Sequence, residues 1–207
     1  MVLRFSCKLR LHSNCTRSKK PFSMRALLRM GCIMPTFGDT NIQSNTSADF
    51  GTHAPRGQQV SPASSGILTD IYLYIVNGAA GLHAKVGIYS DLSNAPHSLL
   101  ATSASDEITS NGWHDFKGFN LPITAGTKYW LAWMADNTTL HFAYDLGGAL
   151  NCNNEGSTYP TFPDPYGDDT QGGGPWNANV SIYGVYTPSV PAFKNVRSGN
   201  NLSASFS

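Results

Sequence analysis

The segment LPITAGTKYWLAWMAD, residues 121–136, limits the possible folds of this chain more than any other. Side chains of an extended strand alternate between its two faces, and both faces of residues 129–134 are apolar, with Trp130 on one of them. A strand with one face in water carries polar residues at every second position. We therefore predict a central strand whose second face is covered by a loop or by a ligand. Turn residues at both ends disfavour a buried helix.

Short apolar runs separated by turn residues continue through the rest of the chain. The predicted strands are 67–76, 82–90, 99–104, 113–119, 129–134, 140–144 and 180–186. The first of them has one apolar face and one face that carries Tyr72 and Tyr74. No helical period is sustained over about 11 residues beyond residue 35. The pattern predicts an all-β fold, a single jelly-roll-type β-sandwich, with an immunoglobulin-like arrangement as the alternative.

Composition favours an exported module over a cytoplasmic enzyme. With 207 residues, 41% of them apolar, the chain can bury a core without disulfide bonds. Charged residues make up only 13% of the chain, roughly half of the usual quarter, and Ser, Thr, Asn and Gly replace them. We expect an extracellular or surface-associated protein. No run approaches the roughly 20 apolar residues of a membrane span, so no membrane partner is expected.

Residues 1–35, the leader, hold eight of the fourteen basic residues and no acidic one. From Asp39 onward six basic residues stand against thirteen acidic ones, a net charge of −7, so no nucleic-acid partner is expected for the body of the chain. The leader lacks the apolar run of a secretory signal, and no export signal is visible. We favour an irregular or non-native leader, with Met24 or Met34 as the true start. A transit peptide and a disordered arm are the other interpretations.

The cysteines give no framework to the fold. Three of the four, Cys7, Cys15 and Cys32, belong to the leader, which leaves Cys152 alone in the body. No disulfide network is therefore expected, and no zinc spacing is present. Cys152 is predicted to be an inert thiol in a loop.

Five segments, taken in order, carry a resemblance to known modules. They are Phe37-Gly38, AKVGIYSDLSNAPHSLLATS (84–103), GWHDFKGFNLPITAGTKYWLAWMAD (112–136), YPTFPDPYG (159–167) and SIYGVYT (181–187). Residues 36–188 resemble a recurrent β-sandwich module of secreted, surface-attached and phage-structural proteins, similar in shape to carbohydrate-binding jelly rolls. The resemblance implies one domain over 36–188 and says little about function, because such modules serve many partners. Residues 189–207 would be a linker and a tail that adds an edge strand or begins a following module.

The segment 147–177 is predicted to be a functional loop. Its length of about 30 residues exceeds the 12 to 15 at which loops become uncommon, and its aromatic rings could stack on sugar faces while Asn and Asp bind the hydroxyls. The predicted ligand-binding residues are Tyr159, Tyr166, Trp176, Asp164 and Trp130. In the alternative interpretation the rings cap an open end of the sandwich. Both can hold if Trp176 fills the core while Tyr159 and Tyr166 face solvent.

The same loop offers a candidate metal site. Asp164, Asp168 and Asp169 lie close together among flexible glycines, and Ca²⁺ prefers such hard oxygen ligands. The spacing differs from that of a dedicated calcium loop, so we favour a solvated acidic turn over a structural Ca²⁺. No other cofactor is expected.

No catalytic residue is predicted, because nucleophile-elbow, phosphate-loop and zinc-protease motifs are absent. The body histidines are scattered along the chain: His53, His83, His97, His114 and His141. A glycosidase would need two carboxylates about 5 to 9.5 Å apart. The pairs considered are Glu155 with Asp145 and Glu155 with Asp164, because these acids flank the same loop.

Taken together, these features predict a non-catalytic extracellular module that binds a polysaccharide or cell-surface glycan through loop aromatics. Neighbouring modules of a larger chain are further expected partners. The first alternative is a structural or adhesive subunit of a phage particle or surface assembly. The second is a glycan or ester hydrolase that uses loop carboxylates or histidines.

Overall fold

The computed structural model describes residues 34–47, 55–153, 157–167, 176–189, 194–198 and 201–205. The leader up to residue 33 lies outside this part of the chain, and the predictions for it stay untested. The strands are β1 (Thr36–Gly38), β2 (Asn45–Ser47), β3 (Arg56–Val60), β4 (Gly66–Val76), β5 (His83–Leu92), β6 (Ala95–Thr102), β7 (Asp106–Glu107), β8 (Gly112–Phe116), β9 (Leu121–Ile123), β10 (Tyr129–Ala135), β11 (His141–Asn153), β12 (Trp176–Val180), β13 (Ile182–Pro188), β14 (Lys194–Ser198) and β15 (Asn201–Ser205).

The described residues form strands, turns and loops without a helix, so the all-β prediction is confirmed. In the same residues no helix has the length and apolarity needed to span a membrane. Every strand pairing among them is antiparallel, from β1 with β13 to β14 with β15. Some partners, such as β5 with β6, are consecutive in the chain and joined by a short turn, whereas most of the pairings join strands that are distant in sequence.

The strands β1 to β13 belong to one hydrogen-bonded sheet. Its main path runs β1-β13-β4-β11-β3-β10-β5-β6, while β8 and β9 pair with β4, β7 pairs with β5, and β2 and β12 pair with β11. The sheet is not a closed barrel. The division into two separate sheets that a jelly-roll sandwich has therefore stays a prediction.

One face of this sheet encloses the main core. Strands distant in the sheet order contribute to it, and its members include Phe37, Leu68, Ile71, Leu73, Ile75, Val86, Ile88, Phe116, Leu131, Trp133, Phe142, Val180, Ile182 and Tyr186. β10 and β13 do not pair with one another, yet their Cα atoms come within 8 Å. Strands that are not neighbours in the sheet thus approach each other beside the core.

The central position predicted for the aromatic strand is confirmed. β10 lies between β3 and β5, and all seven of its residues are buried. Tyr129, Leu131 and Trp133 enter the main core. Trp130 and its neighbours on the other face belong to a second apolar cluster. The covering that the sequence required is thus present on both sides of the strand.

The segment predicted as one long loop is partly strand. β11 continues to Asn153, and β12 begins at Trp176. Gly147 and Gly148 have positive φ angles of 90° and 100°, and the register of β11 with β12 shifts between Leu146 and Leu150. This irregularity hid the strand in the sequence, because paired glycines normally indicate a turn. Cys152 accordingly lies buried in a strand and not in a loop.

The tail contains a hairpin of its own. β14 and β15 pair with each other in a separate two-stranded sheet. The two described strands of the tail therefore pair with each other. They do not extend the main sheet as an edge strand, which was one of the two predicted roles of the tail.

Candidate functional site

The loop 157–167 covers the second face of β10. Phe162 and Tyr166 of this loop are buried against Tyr89, Trp130 and Met134. The Tyr89 ring lies 5.0 Å from Tyr166 at 89° and 6.2 Å from Phe162 at 70°, in edge-to-face contacts. Such contacts add attraction beyond the burial of apolar area. We call this packed group the covered cluster.

Hydrogen bonds at the tyrosine tips fix the loop on the sheet. The Tyr89 hydroxyl donates to the Pro163 carbonyl at 2.8 Å, and the Tyr166 hydroxyl donates to the Pro55 carbonyl at 2.7 Å. The Tyr166 amide also donates to the carbonyl of His97 at 2.8 Å. Burial, together with the nearby Asp164 carboxylate, raises the pKa of Tyr89 far above its usual value. Its hydroxyl is thus held as a neutral donor.

A glycine in β5 makes room for the loop. A Cβ at Gly87 would lie 3.3 Å from Cε2 of Phe162 and 3.3 Å from the Ala101 carbonyl oxygen. Any side chain there would press on the ring that seals the covered cluster. The close approach of Phe162 therefore depends on this glycine.

The one polar atom of the Trp130 side chain has its hydrogen-bond partner within the chain. Its ring is 1% exposed, and its Nε1 donates to Oδ1 of Asp91 at 2.8 Å. The same carboxylate oxygen accepts from Nε2 of Gln59 at 2.7 Å. A buried polar group costs little when it is hydrogen-bonded, so this tryptophan needs no ligand to account for its position.

Two of the five predicted ligand-binding residues, Trp130 and Tyr166, are not displayed. The combined interpretation, in which Tyr166 faces solvent, does not fit, because the ring is 1% exposed inside the covered cluster. Tyr159 is half-buried and its hydroxyl bonds to Ser105. The described rings Phe162 and Tyr166 thus cover a face of β10, whereas the capping of an open end of a sandwich stays a prediction.

The remaining predicted residues lie near the loop ends. Asp164 is exposed, and its Oδ1 accepts a hydrogen bond from the Leu99 amide at 3.1 Å. Trp176 lies in β12, but its side chain is outside the described residues, as are Asp168 and Asp169. Among the described residues, no three His, Cys, Asp or Glu side chains are grouped to hold a metal ion. The calcium prediction stays untested, because Asp168 and Asp169 lie outside the described residues.

A second aromatic group lies on the outer side of β4. Tyr72 and Tyr74 alternate with core residues of that strand, so their rings point away from the main core. β8 and β13 flank β4, and the register places Trp113 opposite Tyr74 and Tyr183 opposite Tyr72. We call these four rings the outer aromatic face.

The four rings form one connected array. Tyr72 and Tyr183 are stacked at 5.0 Å with 5° between their planes. Trp113 lies 4.9 Å from Tyr183 at 65° and 5.4 Å from Tyr74 at 78°. All four side chains are only half-buried, in contrast to the rings of the covered cluster. Tryptophan is therefore central to a row of rings that solvent reaches.

Charged groups adjoin this array. Asp115 lies opposite Tyr72 in the register and forms an ion pair with Nζ of Lys117 at 3.1 Å. Burial, then the nearby carboxylates of Asp115 and Asp70, raise the pKa of Tyr72 to about 12. Burial and Asp115 also raise the pKa of Tyr183. Both hydroxyls therefore stay protonated and can donate or accept hydrogen bonds near neutral pH.

Sequence reasoning found only half of this face. The alternation in 67–76 indicated Tyr72 and Tyr74 on one side of a strand, whereas Trp113 and Tyr183 were assigned to strands without a known neighbour. The available signal was the alternation along β8: residues 113, 115 and 117 lie on the face opposite to that of the core residue Phe116. Such alternation predicts on which face of its strand a residue lies. It does not predict which strands are neighbours in the sheet.

The hydrolase interpretation depends on histidines and acids of which the structure describes only a part. Nδ1 of His83 lies 2.9 Å from Oδ2 of Asp136, yet within the described residues His83 bonds to no hydroxyl or thiol that could act as a nucleophile. Asp145 accepts hydrogen bonds from Ser44 and Asn45. Glu155 and His53 lie outside the described residues, so the pairing of Glu155 with Asp145 or Asp164 stays untested.

Comparisons with family models and with curated proteins find no match for this chain.

Proposed function

We propose that the chain is a non-catalytic, extracellular or surface-associated module that binds a polysaccharide or cell-surface glycan on the outer aromatic face. The observation that supports it is the connected array of Tyr72, Tyr74, Trp113 and Tyr183, half-buried on one side of the sheet. Half-buried tyrosine and tryptophan rings present both apolar and polar atoms to a ligand.

Each part of this face has a chemical counterpart on a sugar. The C–H surface of a pyranose packs on an indole such as Trp113, and the sugar hydroxyls bond to polar groups at the margin. Tyr72, Tyr183 and Asp115 supply such groups beside the indole. The strands hold these side chains in register, which limits the ordering cost of binding.

The location differs from the one expected from the sequence. Loop rings were the expected contact, but Phe162 and Tyr166 are committed to the covered cluster. Tyr159 is the half-buried ring of the described loop. It therefore serves as the comparison position for the outer aromatic face.

The experiment measures retention on a panel of insoluble neutral polysaccharides. We expect Trp113→Ala to weaken retention by about 1 kcal/mol, or roughly fivefold, and Tyr74→Ala to weaken it less. Tyr159→Ala is the matched control, because it removes a ring of similar exposure from the loop, and it should leave retention unchanged. Thermal unfolding of each variant separates loss of the surface from loss of the fold.

Two results would overturn the proposal. If the chain is retained neither on this panel nor on any charged polysaccharide, the proposed function is wrong. If Tyr159→Ala abolishes retention while folded Trp113→Ala does not, the ligand binds at the loop and the assignment to the sheet face is wrong.

A further inference from the structure

Negative charge surrounds the outer aromatic face. Asp70 and Tyr72 lie on the same side of β4, and Asp115 lies opposite Tyr72 on β8. Both carboxylates act on the Tyr72 hydroxyl and raise its pKa to about 12, although burial is the larger cause. They are therefore close enough to the rings to influence a ligand bound there.

The positive charge beside these acids is loosely held. Lys117 pairs with Asp115 at 3.1 Å, but its side chain is 73% exposed while that of Asp115 is 26% exposed. An exposed ion pair of this kind contributes little and exchanges readily with another cation. A ligand ammonium could thus replace Lys117 at the Asp115 carboxylate.

The rings themselves favour the same kind of ligand. The π-face of an aromatic ring carries partial negative charge and attracts cations, tryptophan most strongly. Trp113 and Asp115 are two residues apart on β8 and share a side of the strand, a separation of about 7 Å. A single sugar unit can span that distance, with its ring on the indole and a substituent at the carboxylate.

We propose that the outer aromatic face prefers glycans whose sugar units carry protonated amino groups, with the sugar on Trp113 and the ammonium at Asp115 and Asp70. This inference rests on the proposed function, since it names the ligand class of the same surface. It predicts an order of retention: amino-sugar polymers first, their neutral acetylated counterparts second, and uronic or sulfated polymers last.

The test compares the full chain on chitosan and on chitin, which share a backbone and differ in whether the amino group is free or acetylated. In mildly acidic, low-salt buffer we expect stronger retention on chitosan. Added salt should reduce this difference, because exposed charges are screened. An anionic polymer such as alginate should retain the chain least.

Four variants assign the effect to named groups. Asp115→Asn and Asp70→Asn should each lower chitosan affinity by about threefold relative to chitin affinity, because the amide still bonds to sugar hydroxyls but no longer attracts an ammonium. Lys117→Ala should raise chitosan affinity, because it removes the competing ammonium. Asp106→Asn is the charge control, since it removes one exposed carboxylate from β7 and should change neither affinity.

The possible results distinguish a failure of the amino-sugar preference from a failure of the proposed glycan-binding function. Absence of retention on every neutral and charged glycan overturns the proposed function. Retention on chitin with no gain on chitosan, or a loss with Asp106→Asn as large as that with Asp115→Asn, overturns the amino-sugar preference alone. A rise with Lys117→Ala and a fall with Asp115→Asn support it.

Discussion

Gly184 shows how one missing side chain admits a core ring. It lies opposite Phe37 in the pairing of β1 with β13, and Phe37 is 4% exposed in the main core. The Phe37 ring also meets Tyr186 edge-on at 5.8 Å. The first described strand is therefore anchored by a ring that rests on a glycine.

We expect Gly184→Ala to destabilise the fold by about 1 to 3 kcal/mol through overpacking. The added Cβ would lie 2.6 Å from Cε1 of Phe37 and 3.0 Å from Cδ1 of Leu68. Urea unfolding followed by circular dichroism measures the change in free energy.

A double-mutant cycle identifies the cause. Phe37→Ala alone should cost about 3 to 5 kcal/mol, and Gly184→Ala should cost much less in that background, because the clashing ring is gone. Additive effects of the two changes would show that the Phe37 clash is not responsible.

Tyr72 links the stability of the protein to alkaline pH. Its pKa is raised from 10.0 to about 12, mainly by burial. A raised pKa in the folded state gives stability that is complete below pH 10 and is lost as the pH climbs from 10 to about 12. We therefore expect the stability difference between wild type and Tyr72→Phe to shrink over that interval, as measured by urea unfolding at stepped pH.

Asp115→Asn provides the matched comparison for this titration. Removing the carboxylate takes away a negative charge that raises the pKa of Tyr72, so the phenolate should appear at lower pH in an ultraviolet difference titration. An unchanged titration curve would contradict the role given to Asp115.

At the scale of elements, the loop 157–167 functions as part of the core. We expect Phe162→Ala to destabilise the protein by about 3 to 5 kcal/mol, because the ring is 5% exposed and seals the covered cluster. In folded variant protein, Trp130 should become accessible to acrylamide quenching. Leu146→Ala is the control, since that side chain is 78% exposed, and it should shift stability by no more than about 0.5 kcal/mol. Quenching identical to wild type would mean that the loop does not shield Trp130.

Regular alternation made some elements predictable and left others hidden. Residues 67–76 and 129–134 were predicted as strands and lie within β4 and β10. The end of β11 was missed, because Gly147 and Gly148 interrupt its period. The strands β1, β2 and β3 are short and carry too few apolar residues for an alternating pattern to be recognised in the sequence.

The whole molecule is built from pairings between distant segments. β1 pairs with β13, and β3 joins β10 to β11. Closing such long loops costs entropy before the contacts form, which slows folding. We expect refolding from urea on a scale of milliseconds to seconds, measured by stopped-flow tryptophan fluorescence. Complete refolding within microseconds would contradict this dependence on topology.

The same distances explain why the candidate site was only partly predictable. The outer aromatic face combines rings from β4, β8 and β13, and no local pattern states that these strands are neighbours. By contrast, the covered second face of β10 was predictable, since two apolar faces on one strand require two coverings.

The bond network at Asp91 has a practical meaning for protein engineering. One carboxylate there holds both the indole of Trp130 and the amide of Gln59, and the loop above is fastened at Pro163 and Pro55. This region would be a poor place to graft foreign sequence. The exposed turn residues 79–81 and 137–139 are better points of insertion.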